Sequence, residues 1–309
     1  MTNHNLLIIL GATASGKTNL AVQVADTLNG EVISADSRQV FKRMDIGTGK
    51  DLQSYNFEGK KIPYHLIDIL EPGDQYNVDA FKNDFYQAFE TIESRGNLPI
   101  LCGGTGMYIH SLLQNSKYTA IPSNIALRET LNVLEKDELI LMLNNYPSEV
   151  IEHADQSSKK RLIRAIEIAE FLMHNELEIV DRPILKPIIF GLKNQIELTR
   201  SRIIKRLDDR LKSGMIAEVE DLIKSGVTED QFIFYGLEYK FVSQHLLGFL
   251  SFEALKEKLG IAICQYAKRQ NTFFRKMEKD GVLVNWLDAS NSTNHLKHQL
   301  FQIVLEKDN

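Results

Sequence analysis

The chain has 309 residues, 43% apolar and 25% charged, which allows one large domain and a smaller one with packed cores and leaves little room for disorder. A net charge of −5 argues against indiscriminate nucleic-acid affinity. The two cysteines, Cys102 and Cys264, stand in unrelated contexts, which excludes a disulfide framework or a cysteine-rich zinc site and suits a reducing cytoplasm.

The apolar run Leu6 to Leu10 is too short to cross a membrane, lacks a basic leader and reads as the first strand. It runs into Gly11-Ala12-Thr13-Ala14-Ser15-Gly16-Lys17-Thr18, which fits G-x-x-x-x-G-K-[ST] at every fixed position, and then into a helix through Ala25. Glycines let backbone N–H groups curl around an oxyanion, Lys17 adds a point charge and the Thr18 hydroxyl can ligate Mg²⁺. The loop is therefore expected to cradle phosphate or diphosphate, and the motif alone does not say which ester it holds.

Glu31 to Ala35 reads as a second strand, followed by Asp36-Ser37-Arg38-Gln39. Residues just past the carboxyl ends of parallel strands face the ligand crevice, so Asp36 is expected near the phosphate loop. A carboxylate there must hold metal, take a proton or contact a second substrate. A helix N-cap is the alternative, with Ser37 as its rival, and position alone does not choose. Phe41 to Lys50 is polar and glycine-rich, as functional loops are, and Tyr64 to Leu70 is a strand candidate in which His65 reads as structural.

Val78 to Arg95 is an amphipathic helix closed by Gly96, and Leu98 to Cys102 a buried strand ending in Gly103-Gly104-Thr105-Gly106. A nucleotide hydrolase wants a carboxylate at that strand end to organise Mg²⁺ and water. Here small residues stand instead, and the nearest other strand carboxylate is Asp68.

From about Tyr118 the pattern turns helical: Asn124 to Leu134, Lys136 to Asn145, Ser148 to Ala154 and Ser158 to Asn175. A strand resumes over Ile184 to Leu192, so the expected organisation is an α/β core of residues 1–118 and 182–309 interrupted by an all-helical insertion, 119–181. Arginines 202, 206 and 210 form one stripe on a helix from Glu197 to Lys212. Asp208 and Asp209 lie off that stripe. Each basic cluster reads either as a solvated helix face or as part of a basic groove. A long helix over Glu253 to Lys279, a strand over Val282 to Leu287 and a terminal helix complete the chain.

Six blocks taken together resemble the bacterial tRNA dimethylallyltransferase (tRNA isopentenyltransferase) family: the glycine loop 11–18; Ser34 to Val40; Met44 to Lys50; Gly103 to Gly106; Arg161 to Glu167; and Ala267-Lys268-Arg269-Gln270. They occur in family order and cover nearly the whole chain. The resemblance implies a P-loop NTPase-like parallel sheet flanked by helices. It also implies transfer of a dimethylallyl group from dimethylallyl diphosphate to N6 of the adenosine 3′ of the anticodon of tRNA, releasing diphosphate, with Mg²⁺. On this resemblance Asp36 takes the adenine proton, Lys17 and Thr18 stabilise the leaving diphosphate, Thr18 is the metal ligand and Thr105 contacts the extruded base or the diphosphate.

Gly11, Ala12, Thr13, Ala14, Ser15, Gly16, Lys17, Thr18 and Arg206 would then hold the diphosphate in what is also a nucleotide-binding (ATP) motif. Asp36, Ser37, Arg38, Gln39, Thr105, Arg128, Lys160, Arg161, Leu162, Ile163 and Arg164 would contact tRNA, with the insertion gripping the anticodon arm. A cytoplasmic monomer acting away from membranes is expected. The chain departs from the family pattern at Ser157-Ser158-Lys159 and at Ile263-Cys264. The competing readings are a P-loop kinase of a small metabolite or nucleoside and a nucleotide-gated binding module without chemistry.

Overall fold

The computed structural model describes residues 4–114, 117–152, 154–177 and 180–308. Its contacts divide the chain into two compact units, Met1–Leu113 with Pro183–Asn309, and Gln114–Arg182.

The larger unit opens with strand β1 (Leu6–Gly11), helix α1 (Lys17–Leu28) and strand β2 (Gly30–Ala35). A small hairpin, β3 (Asn56–Phe57) and β4 (Lys60–Lys61), precedes β5 (Tyr64–His65). Then come α2 (Val78–Ser94), β6 (Leu98–Gly103) and α3 (Gly106–Leu113). In the smaller unit α4 (Ile125–Asn132), α5 (Lys136–Leu143), α6 (Ser148–Ile151) and α7 (Lys159–His174) follow one another without a strand among the described residues. His153, within the helix expected over Ser148 to Ala154, lies outside the described residues. The larger unit resumes with β7 (Pro187–Lys193), α8 (Ile196–Lys212), α9 (Met215–Lys224), α10 (Glu229–Tyr235) and α11 (Leu237–Leu246). It ends with the long α12 (Phe252–Lys279), β8 (Asn285–Asp288) and α13 (Thr293–Asp308).

The sheet runs in the order β5-β2-β6-β1-β7-β8, with every neighbouring pair parallel. Its strands are apolar on both faces because helices cover both. Leu6, Ile8 and Leu10 of β1 turn toward the face covered by α2, α3 and α12, and Leu7 and Ile9 toward α1 and α13. The order of the strands switches side at β1: the chain goes from β1 outward to β2, returns to β6, and later places β7 on the opposite flank. Ligands bind beyond the carboxyl ends of the strands at such a switch point. The glycine loop after β1, the Asp36 turn after β2 and Gly103 at the end of β6 all lie there.

The strand expected over Tyr64 to Leu70 stops at His65, because Leu66 and Asp68 adopt φ of 60° and 57° and turn the backbone away from the sheet. His65 instead reaches Glu31, which also takes Arg95 and Asn97, a satisfied buried carboxylate with a structural role. In the smaller unit Leu131, Leu139, Leu143, Leu162 and Ile166 make a separate core. No helix among the described residues is long and apolar enough to cross a membrane.

Candidate active site

A cavity of about 330 Å³ opens over the carboxyl ends of β1, β2 and β6. Its wall includes Thr13, Lys17 and Thr18 of the glycine loop, the Asp36 to Gln39 turn, and Gly47 to Gly49. Arg206, Arg210 and Gln270 reach it from α8 and α12.

The cradle is built by backbone. Gly16 takes φ of 87° at the N-cap of α1, where no side chain caps the helix and no acidic residue occupies the first turn. The first N–H groups of α1 are thus left for an anion, and the helix dipole favours one. Nothing stands within 4 Å of where a Cβ on Gly16 would lie, so the residue is required for its backbone conformation and not for packing. Among the described residues the buried Ser15 hydroxyl has no hydrogen-bond partner, a donor in reserve at the loop.

Burial holds Lys17 below the ordinary lysine value, opposed by Cys102 and Asp36 and reinforced by Arg206. Burial likewise pushes the Cys102 thiol up to about 11, so it is no nucleophile at neutral pH. Arg206 is lowered to about 10 by burial and by Arg210, still fully charged at neutral pH. Its Nη2 donates to Thr13 Oγ1, so the one arginine singled out on the stripe does reach the loop.

Asp36 Oδ1 accepts the Arg38 N–H at 2.9 Å, and the carboxylate lines the cavity. Asp36 thus closes a local turn and faces the cradle; the helix N-cap read as its alternative is not formed, because the chain after β2 runs as turns up to Leu52. Arg38 lies over the Phe234 ring at 4.7 Å. Gln39 accepts from Ser34 Oγ at 2.9 Å and donates to Gly49 O at 3.0 Å, so its amide ties the turn to the 44–50 loop. Thr105 does not line the cavity; its Oγ1 accepts the Ser37 N–H at 3.1 Å, which makes it a support of the Asp36 turn.

Of the residues assigned to tRNA in the smaller unit, Leu162 and Ile163 need correction. Leu162 and Ile163 are buried in its core, because a helix that presents Lys160 and Arg161 outward must turn the next two residues inward. Their side chains cannot meet RNA. Arg128 forks onto the fully buried Glu167, and Arg164 donates to the carbonyls of Tyr118 and Ile121. Arg161 pairs with Asp155. Lys160 is exposed and, among the described residues, without a partner.

Several residues in and beside the cavity are not among the expected site residues, although Gln270, Lys50 and Arg210 fall in stretches already marked in the sequence. Gln270 bonds the glycine loop, Glu238 and Arg210 face each other at 3.8 Å, and burial pushes Glu238 above the usual carboxylate range. Tyr55, Tyr239 and Tyr266 are pushed up by burial and remain neutral phenols. Lys50, 1% exposed, donates to Phe41 O at 2.7 Å, to Asp45 at 2.6 Å and to Asp68. Asp68 is therefore committed to a buried lysine and does not line the cavity.

An all-parallel sheet with a glycine loop at its switch point defines a P-loop α/β protein, and a cradle with no carboxylate at the end of the neighbouring β6 is not laid out for nucleotide hydrolysis. Residues 39–277 match the IPP transferase family, and the chain belongs to it. It is 46% identical over 290 residues to a tRNA dimethylallyltransferase 1 of Parabacteroides distasonis, covering 94% of each chain. It is similar to the solved tRNA isopentenylpyrophosphate transferase of Bacillus halodurans, with a TM-score of 0.72 at 29% identity over 99% of this chain and 97% of that one. The corresponding Staphylococcus epidermidis enzyme gives a TM-score of 0.70 at 30% identity over 98% and 99%.

Proposed function

We propose that the chain, as a cytoplasmic monomer, transfers a dimethylallyl group from dimethylallyl diphosphate to N6 of the adenosine 3′ of the anticodon in tRNA. The observation that carries the reading is a phosphate-loop cradle and a carboxylate, Asp36, lining one cavity whose wall at the end of β6 is Cys102 and Gly103.

In this reading the α1 N-terminal amides, Lys17 and Arg206 bind the diphosphate and stabilise the charge it gains on leaving. N6 of the extruded adenine attacks the allylic C1, the C1–O bond breaks with its electron pair leaving on diphosphate, and the N6 proton passes to Asp36. Thr105 holds the turn that carries Asp36. Neutral phenols of Tyr55, Tyr239 and Tyr266 wall the cavity against water. Exposed Lys160 and Arg161 of the helical unit contact tRNA phosphates.

Mg²⁺ fits this donor set. Among the described residues no three His, Cys, Asp or Glu side chains gather into a metal site. The Thr18 hydroxyl nevertheless lines the cavity beside Cys102, and Asp36 and Asp51 stand within electrostatic reach of Lys17. Mg²⁺ characteristically takes few protein ligands and fills its shell with water and substrate phosphate oxygens. Bound by Thr18, it would supply Lewis-acid stabilisation of the departing diphosphate.

The test is incorporation of labelled dimethylallyl diphosphate into unmodified tRNA by the native chain and by Asp36→Ala. Mg²⁺-dependent transfer that collapses in the variant supports the reading. Absence of transfer, together with ATP turnover on a small acceptor, would give the cradle to a kinase.

A further inference from the structure

The main-chain ladder between β1 and β6 ends at Leu10 and Gly103, where the two strands separate into the glycine loop and the Gly104-Thr105 turn. Beyond that point a side chain from α12 continues it. The Thr13 N–H donates to Gln270 Oε1 at 2.8 Å, and Gln270 Nε2 donates to Gly104 O at 3.0 Å. The amide thus offers one acceptor and one donor, as a peptide unit of an intervening strand would. Gln270 is 7% exposed, so each contact is made with little competition from water.

The two loops so joined serve different sides of the reaction. Thr13 belongs to the diphosphate cradle, and Arg206 holds its hydroxyl from α8. Gly104 precedes Thr105, whose Oγ1 holds the Ser37 N–H beside Asp36. Gly104 is itself shaped to the contact: a Cβ there would stand 2.4 Å from Gln270 Nε2 and 3.2 Å from Gly11 O. We infer that Gln270 is a positioning residue that fixes the separation between the donor cradle and the acceptor-side Asp36 turn. The inference rests on the prenyl-transfer reading and deepens it. Displacement chemistry is sensitive to that separation, because a misplacement of about 1 Å costs about a hundredfold in rate. Binding of either substrate alone is not, since each half-site remains intact.

The experiment is steady-state transfer to tRNA by the native chain, Gln270→Met, Gly104→Ala and the double variant, with both substrates varied. Gln270→Met removes the bridge from the α12 side, and Gly104→Ala displaces it from the other. The expected result is a kcat lowered about 10- to 100-fold in each single variant, with both KM values within about threefold of native. The double variant should be no slower than the worse single one, because both remove one bridge. Inorganic diphosphate binding by calorimetry, expected within about threefold of native, confirms that the cradle of each variant is folded. Should Gln270→Met fail that check, Gly104→Ala carries the test alone. An unaltered kcat, or a loss confined to the KM for dimethylallyl diphosphate, overturns the positioning role while leaving the prenyl-transfer reading in place. A native chain that transfers nothing overturns both.

Discussion

Arg128 meets Glu167 as a fork on a fork, Nε to Oε1 at 2.9 Å and Nη2 to Oε2 at 2.8 Å, with the glutamate side chain fully buried and the arginine 40% exposed. The same carboxylate accepts the Asn124 N–H at 2.7 Å and lies 3.5 Å from Arg164. A bidentate pair this enclosed fixes α4 against α7, and its guanidinium has little left to offer a phosphate.

Removing Arg128 should therefore act first on the helical unit. Arg128→Ala leaves Glu167 with Arg164 as its remaining cation among the described residues, and the cost should be about 2–3 kcal/mol, below the roughly 3–5 kcal/mol of a broken fully buried pair because Arg128 is partly exposed. Thermal melts of the full chain check this. Any loss of tRNA affinity should be recovered in Arg128→Met with Glu167→Leu, which removes both charges and keeps the volume. Affinity that stays low in the stable double variant would show that Arg128 touches RNA after all.

The burial of Lys17 gives a pH dependence whose sign is fixed. Its ammonium is held below the ordinary 10.5, with burial as the leading cause, so the free chain loses that charge at a lower pH than an exposed lysine would. Bound diphosphate favours the ammonium and raises the value again. Below the free-chain value both states are protonated and affinity is flat. Between the free and bound values binding takes up a proton and weakens with rising pH, up to about tenfold per unit. The KM for dimethylallyl diphosphate should accordingly climb in the alkaline range before pH 10.5, while Lys17→Arg binds more weakly overall but without that climb. Calorimetry in buffers of different ionisation enthalpy should register the proton uptake.

The cradle was legible in the sequence because its chemistry is carried by backbone and by residues at fixed spacing: a glycine at left-handed φ, a lysine and a hydroxyl one after the other. Asp36 was legible for a related reason, since the end of a parallel strand predicts where a side chain points. The misread block is instructive. Lys160 to Arg164 stood as one contact patch, yet the alternation of Lys160-Arg161 with Leu162-Ile163 already carried the helical period that buries the latter pair. The roles of Gln270, Glu218, Lys50 and Glu238 were hidden differently, although Gln270 and Lys50 stand in blocks the sequence had marked. Each acts through partners that tertiary packing alone selects, for Gln270 and Glu218 more than 150 positions away in the chain, and a polar residue on a predicted helix, as Gln270 is, reads as a solvated face until that packing is known.

Glu218 is the clearest of these. Its Oε2 accepts the N–H groups of Asp45 at 2.8 Å and Ile46 at 2.7 Å, and its Oε1 those of Gly47 at 3.0 Å and the Tyr239 hydroxyl at 2.7 Å. Four donors converge on one carboxylate, and the loop they hold forms the cavity wall at Gly47, Thr48 and Gly49. Glu218→Gln keeps one oxygen and sets an NH₂ against donors, so at least one or two amides lose their acceptor. The expected cost is about 2 kcal/mol, seen as a lower denaturant midpoint at unchanged slope. Glu218→Asp, one methylene short, should recover only part of it.

The last prediction separates the metal from the cradle. Thr18→Val keeps the shape of the side chain but removes the hydroxyl that lines the cavity beside Cys102, while the amides of the α1 N-terminus, Lys17 and Arg206 are untouched. If Thr18 is a Mg²⁺ ligand, the Mg²⁺ concentration for half-maximal transfer should rise about tenfold, in line with the loss of one bond to a charged partner. Inorganic diphosphate binding measured without Mg²⁺ should stay near native, because the backbone and the two cations carry it. A Mg²⁺ response that does not move would leave the cation bound by substrate and water alone, and would reduce Thr18 to its contact with the Cys102 thiol.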